Sequence, residues 1–241
     1  MGIKSLIRKL ILGHKSDSES FVNYYRKLGT KIGERTTVFE PTKTFIDLTR
    51  PFLVEIGDDV QITRGVTILT HGYDWSVLKG IYGEVSGSAG KVKIGNNVFI
   101  GTNATILKGV TVGNNVVIGA NSLVNKDIPD NSVYAGNPAQ YICSIEEYNT
   151  RRQKVQLKEA YEIYTNYVAC YGREPEAEIF GEFFWLFHRR NDPLLPEFER
   201  RMRTNSNYAY SKEKFAESKP LFDGYEVFLQ HLRNAGDSQN L

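Results

Sequence analysis

Residues 92–119 read Val92-Lys93-Ile94-Gly95-Asn96-Asn97-Val98-Phe99-Ile100-Gly101-Thr102-Asn103-Ala104-Thr105-Ile106-Leu107-Lys108-Gly109-Val110-Thr111-Val112-Gly113-Asn114-Asn115-Val116-Val117-Ile118-Gly119. Ile94, Ile100, Ile106, Val112, Ile118 and, just beyond, Val124 recur every six residues. Gly follows four of them, at 95, 101, 113 and 119, and a small or β-branched residue sits four places on, at Val98, Ala104, Val110, Val116 and Ser122. A six-residue period matches neither a 3.6-residue helix nor a two-residue strand alternation. It fits a solenoid whose coil is a triangle with one hexapeptide per side, the aliphatic residue pointing in. Gly is expected at the tight corners, and the Asn-Asn pairs at 96–97 and 114–115 suit positive φ. Stacked coils then form parallel sheets about 4.8 Å apart, each coil buried against its neighbours. An ordinary β-sandwich gives no reason for six consecutive matches.

Upstream, Ile56-Gly57, Ile62 and Ile68 keep the frame, and Ile32-Gly33 lies 24 residues before Ile56. The frame is expected to break once, because Ile68 and Ile94 are 26 residues apart. Segment 71–91, rich in Gly, Ser and aromatics, reads as a loop projecting from the solenoid, and loops on rigid scaffolds carry function.

The flanks differ. Residues 1–30 carry six basic and two acidic groups, 31–143 ten of each, and 144–241 fourteen and sixteen. This predicts N-terminal helices over 1–30, a solenoid over 31–142 and a helical extension over 143–241. Ile3, Leu6, Ile7, Leu10 and Ile11 make an apolar helical stripe within 1–13, with Lys4, Arg8 and Lys9 off it. Two readings stand: a helix packed on protein, or weak contact with an acidic membrane surface. A second helix is expected from Ser16–Ser18 to Gly29. In the extension, Leu157, Ala160, Tyr161, Tyr164 and Val168 form a stripe ended by Gly172. Phe180, Phe183, Phe184 and Phe187 form a second, and Tyr225, Phe228, Leu229 and Leu232 a third.

Composition narrows the function. A net charge of +2 over 241 residues gives no electrostatic case for nucleic acid. No run of 18 apolar residues is present to span a bilayer. Two cysteines, Cys143 and Cys170, make neither a disulfide framework nor a zinc site, and a reduced cytoplasmic location is the default expectation.

With Thr70-His71 at the loop, the Val92–Gly101 repeat, and Val124-Asn125-Lys126-Asp127-Ile128-Pro129 leading to Ala135-Gly136-Asn137-Pro138-Ala139, the chain resembles the hexapeptide-repeat acyltransferases over about residues 32–142. Within them it is similar to the O-acetyltransferases of maltose, galactosides and surface polysaccharides, and to the xenobiotic acetyltransferases. The resemblance implies a left-handed parallel β-helix and a homotrimer with sites between subunits. It implies direct transfer from acetyl-CoA to a hydroxyl of a saccharide acceptor, with no metal. The left hand comes from the resemblance, since ordinary crossovers are right-handed.

Such a reaction needs a base to take a proton from an alcohol. Of four histidines, only His71 lies where the frame breaks, and it matches the family's catalytic His in its Thr-His context. Many relatives carry Asp directly after that His; here Gly72 and Tyr73 precede Asp74, which is either the orienting carboxylate or a plain loop residue. The resemblance assigns the backbone N–H of Thr102 to the thioester oxyanion, Phe99 to the wall of the pantetheine channel, Ala120 to a pantetheine contact, and Asn125 and Lys126 to the nucleotide side. Lys126 is either a phosphate partner or a solvated lysine. Gln140 and Cys143 stand where relatives often have Lys or Arg. For the acceptor, Trp75 and Tyr82 offer flat faces and Asn103 a hydrogen-bonding group, or Trp75 packs the loop. Other acceptors (an antibiotic hydroxyl, a serine, an amino sugar) and a non-catalytic scaffold in polysaccharide assembly remain open alternatives.

Overall fold

A computed structural model describes residues 3–235. Met1 and Gly2 of the expected first helix, and residues 236–241 of the expected extension, lie outside the described residues. The chain divides into two compact units, residues 1–148 and 149–241.

The first unit opens with α1 (Ile3–Leu12) and α2 (Ser18–Lys27). Asp17 caps α2, its side chain accepting from Ser20 N, and Gly29 follows the helix at φ 101°. Phe21, Val22 and Tyr25 of α2 are buried in the solenoid core, and Tyr25 Oη donates to Ile46 O at 3.0 Å. That burial pushes the Tyr25 phenol up to about 12. α2 therefore closes the first coil.

Each coil contributes three short strands. The first holds β1 (Lys31–Ile32), β2 (Thr37–Val38) and β3 (Phe45–Ile46). The second holds β4 (Val54–Ile56), β5 (Gln61–Ile62) and β6 (Thr67–Ile68), and leads into α3 (Trp75–Tyr82). The third holds β7 (Val92–Ile94), β8 (Val98–Ile100) and β9 (Thr105–Ile106). The fourth holds β10 (Thr111–Val112), β11 (Val116–Ile118) and β12 (Leu123–Val124). A bridge from Ile128 to Val112, then β13 (Ser132–Ala135) and β14 (Gln140–Ser144), ends the solenoid. The strands stack into three sheets, ordered β1-β4-β7-β10, β14-β13-β11-β8-β5-β2 and β12-β9-β6-β3. All pairings are parallel except β13 with β14. The inward positions stack in columns, such as Ile32, Ile56, Ile94 and Val112, and all are buried. The triangular parallel β-helix expected from the period is present.

One expectation about the frame needs correction. The frame breaks in the first coil as well as at residues 71–91: the 24 residues from Ile32 to Ile56 make one coil, with eight residues from Val38 to Ile46 and ten from Ile46 to Ile56. Strict spacing further on hid this, because 24 is itself a multiple of six. The corner glycines stand where expected, and close approach of the coils is what requires them. Gly57, Gly95 and Gly113 do not have positive φ; their coils approach so closely that a Cβ on Gly95 would lie 2.6 Å from Gly113 O. Positive φ falls two residues on, at Arg35, Asp59, Asn97, Asn115 and Asn131, so the second Asn of each Asn-Asn pair adopts it as expected. The residues between the two columns lock the coils together: Asn96 N donates to Asn114 Oδ1 at 2.9 Å, and Asn114 N to Asp130 Oδ1 at 2.7 Å. Gly95→Ala is therefore expected to destabilise by about 1–3 kcal/mol, read as a fall in Tm. Gly80→Ala in α3, where a Cβ meets nothing within 4 Å, should stay within about 1 kcal/mol or stabilise. Equal effects at both positions would contradict the close-approach account.

The outer face of the β1-β4-β7-β10 sheet is charged, with Lys31, Glu55 and Lys93 in register. Lys91 and Lys31 hold Glu55 down to about 2. These exposed pairs add little stability.

α4 (Ile145–Tyr171) begins with a capping box: Ser144 Oγ accepts from Glu147 N at 3.1 Å and Ser144 N donates to Glu147 Oε2 at 3.0 Å. It ends at Gly172, φ 64°, as expected. The second unit adds α5 (Pro196–Met202), α6 (Tyr208–Glu217) and α7 (Tyr225–Ala235). The Phe180–Phe187 stripe is not an α-helix but two 3-10 turns, Ala177–Phe180 and Phe184–Leu186. An i, i+3 spacing serves both helix types, and aromatic stacking selects the tighter one here. Phe184 stacks on Phe198 at 4.8 Å and Phe187 on Phe228 at 4.7 Å.

Candidate active site

The edge of the prism after β3 and β6 concentrates the polar chemistry. Asp47 directly follows Ile46 of β3, and its N donates to Ile68 O at 2.9 Å, which fixes it beneath the next coil. Its side chain is 1% exposed. A buried carboxylate must be satisfied or neutralised. Here it is satisfied five times over. Oδ2 accepts from Thr70 Oγ1 at 2.5 Å, Thr70 N at 3.1 Å and His71 Nδ1 at 2.5 Å; Oδ1 accepts from Thr49 Oγ1 at 2.7 Å and Thr49 N at 2.9 Å. The bond to Thr49 N closes an Asx turn, which the four extra residues between Ile46 and Ile56 make room for. Burial disfavours the charge, but the hydrogen bonds from Thr70, Thr49 and His71 outweigh it and hold the Asp47 carboxyl well below the usual range.

An ionised carboxylate only accepts, so His71 must carry its proton on Nδ1, leaving the lone pair on Nε2. The imidazole thus has a fixed tautomer and a partner on the neighbouring coil. That partner is Asp47 and not Asp74, the sequence candidate. Asp74 stands at the start of α3, where its carboxylate sits over Gly72.

The loop expected to project at 71–91 does so with pinned ends. His71 and Ala89 form an antiparallel bridge, Gly72 N donates to Ser88 O at 3.3 Å and Gly90 N to Thr70 O at 2.9 Å. Its helix α3 buries no side chain within the chain, and Val77, Ile81, Tyr82 and Val85 are exposed. Tyr73 packs edge-on against the His71 ring at 5.2 Å and lies 6.0 Å from the Trp75 ring. The chain thus links Trp75 to His71 through Tyr73, which sequence reasoning passed over. Tyr82 is at the far end of α3, about 10 Å along the helix axis.

Phe99, Thr102, Asn103 and Ala120 lie by a different edge, the one after β5, β8 and β11. Asn103 N donates to Arg64 O at 2.9 Å and Asn121 N to Thr102 O at 2.7 Å, so Arg64, Thr102-Asn103 and Ala120-Asn121 form one column. Among the described residues the backbone N–H groups of Thr102 and Ala120 have no hydrogen-bond partner, and both residues are exposed. Phe99 points outward from β8, between Gln61 and Val117 by register. Asn125 and Lys126 follow β12, on the same edge as His71 but two coils further on. One sheet face, about 16 Å for five residues at ~3.3 Å each, separates the His71 edge from the Thr102 edge. Within one chain the structure brings His71, Tyr73 and Trp75 together, and separately Phe99, Thr102, Asn103 and Ala120.

Asp47 and Thr49 were missed because nothing in their local sequence marks them. A usable signal existed: Ile46 stands between two irregular spacings of the repeat, Val38 to Ile46 and Ile46 to Ile56, as another irregular spacing begins just before His71. Among the described residues no group of three His, Cys, Asp or Glu could hold a metal ion, and no helix is long and apolar enough to cross a membrane.

Comparison with known proteins matches residues 91–126 to the family model "Bacterial transferase hexapeptide (six repeats)". Protein CapG of Staphylococcus aureus is 44% identical over 149 residues, covering 62% of this chain and 83% of that protein. Galactoside O-acetyltransferase of Escherichia coli is 32% identical over 160 residues, covering 60% of this chain and 78% of that protein. Among solved structures, a maltose O-acetyltransferase from Clostridium difficile is 32% identical, with a TM-score of 0.37 over 52% of this chain and 75% of that one.

Proposed function

The chain belongs to the hexapeptide-repeat transferases, and from that premise we propose that it moves an acetyl group from acetyl-CoA to a hydroxyl of a saccharide or surface-polysaccharide precursor. The observation that carries the reading is the buried Asp47 bonded to His71 Nδ1, which leaves Nε2 as a base. His71 takes the acceptor's hydroxyl proton as the oxygen attacks the thioester carbonyl. The oxyanion then collapses, a C–O bond replaces the C–S bond, and the proton leaves with the CoA thiolate. Base catalysis of this kind contributes about 10²–10⁴-fold.

The unpaired N–H of Thr102 is suited to the oxyanion, where one donor is worth about 2.7–4 kcal/mol. The N–H of Ala120, one coil on, suits a pantetheine amide, and outward Phe99 suits the wall of that channel. Asn125 and Lys126 are assigned to the nucleotide end, Lys126 toward a phosphate. For the acceptor, Trp75, with Tyr73 beside it, offers ring faces next to the base, while Tyr82 and Asn103 stand further off. Because His71 and Thr102 lie on different edges, a complete site needs the Thr102 edge of a second copy against the His71 edge of the first. The apolar side chains α3 leaves exposed are then covered, which supports the homotrimer. The saccharide acceptor rests on the galactoside O-acetyltransferase relative.

The test is free-thiol release from acetyl-CoA across sugars, nucleotide sugars and oligosaccharides, with serine and amino sugars beside them. Saccharide-dependent release is expected. Release driven only by serine or an amine moves the acceptor class. No acceptor-dependent release, together with no thermal stabilisation by CoA, overturns the enzyme reading.

A further inference from the structure

α1 is a ten-residue helix whose apolar side stays half or more exposed among the described residues. Leu6, Ile7, Leu10 and Ile11 fall on one arc of roughly 140° at 100° per residue, and Leu10 and Ile11 are 78% and 75% exposed. The helix has no acidic residue. Of its cations, Arg8 lies toward one border of the apolar arc and Lys9 toward the other. The one ion pair found in α1 among the described residues is a loose one, Lys9 to Asp17 at 3.8 Å. The next helix, α2, is the one that closes the core, so α1 is not needed to seal the solenoid.

We propose that α1 lies in the surface of an anionic bilayer, its apolar arc among the acyl chains and Arg8 and Lys9 at the phosphates. Charge decides the occupant. A second α1 laid on this face would set cations against cations, whereas an anionic lipid surface satisfies the apolar arc and the flanking charge at once. The inference rests on α1 alone and does not depend on the proposed acetyl transfer.

The test is co-sedimentation of the full chain with phosphatidylcholine vesicles, with and without about 30 mol% phosphatidylglycerol, at low and raised salt. Binding about 10-fold stronger to the anionic vesicles is expected, falling as salt rises. Leu10→Asp with Ile11→Asp should abolish binding. Arg8→Glu with Lys9→Glu should remove the preference for anionic lipid. Both double variants should keep the wild-type Tm, since the altered side chains lie outside the core. Equal sedimentation with both vesicle types overturns the proposal. So does a change in solution mass in the Leu10/Ile11 variant with its vesicle binding intact, which would assign the face to a second copy.

Discussion

Replacing His71 with Ala is expected to lower kcat/KM for acetyl transfer by about 10²–10⁴-fold, the usual contribution of a positioned base. The loss should fall on kcat, because the imidazole acts on a proton that moves only in the chemical step, so KM for acetyl-CoA should change little. Thiol release at saturating acetyl-CoA measures the first quantity, and calorimetric CoA binding controls for the second. The fold should survive, since His71 sits on an edge and the core columns pass beneath it. The Asp47 carboxylate nonetheless loses one donor and keeps those of Thr70 and Thr49. A variant within threefold of wild type would remove His71 from the chemistry and turn attention to acceptor-derived bases.

Asp47→Asn should be nearly as damaging to activity, for a different reason. The amide keeps the shape but not the charge, so His71 Nδ1 no longer faces a pure acceptor and the imidazole can turn or change tautomer. A loss of up to about 10⁴-fold in kcat is expected, the size found when a buried orienting carboxylate is neutralised. Asp47→Ala adds a stability cost, because the buried donors of Thr70 are left unmatched at about 1–3 kcal/mol each. The pH dependence separates the two roles. The Asp47 carboxyl titrates lower in the folded chain than its ordinary value near ~3.9, so between the two values the unfolded state holds more protons and stability rises with pH. The contribution is complete above about pH 5 and is lost as pH falls through the folded value. Denaturant midpoints measured from about pH 5 down to pH 2 should therefore fall more steeply for wild type than for Asp47→Asn. Parallel curves would mean that the carboxylate is not stabilised by its five donors.

Some of this was legible before any coordinates. The repeat from Ile94 to Val124 names the solenoid because each coil satisfies the same local rule, and the rule is written six residues apart in the chain. His71 stood out for the same reason, as a titratable residue at the place where the rule lapses. Gly172 ended α4 as read, since a helix end is also a local event. The Phe180–Phe187 stripe misled because a period of three to four is shared by two helix types, and only the stacking of Phe184 on Phe198 and Phe187 on Phe228 distinguishes them.

By itself, then, the sequence determined the triangular β-helix, the inward columns, the break at residues 71–91 and His71 as the base to test. Tertiary structure alone decided what holds His71. Asp47 is 24 residues away and reaches it because coils stack with Ile46 opposite Ile68, while Asp74, three residues away, turns off into α3. Tertiary structure also decided that His71 and Thr102 sit on different edges of the prism. Repeats of fixed length specify which residues face inward. Where two coils differ in length, the relative position of outward groups depends on how the irregular turns fold, and that is a property of packing across coils, not of any one hexapeptide.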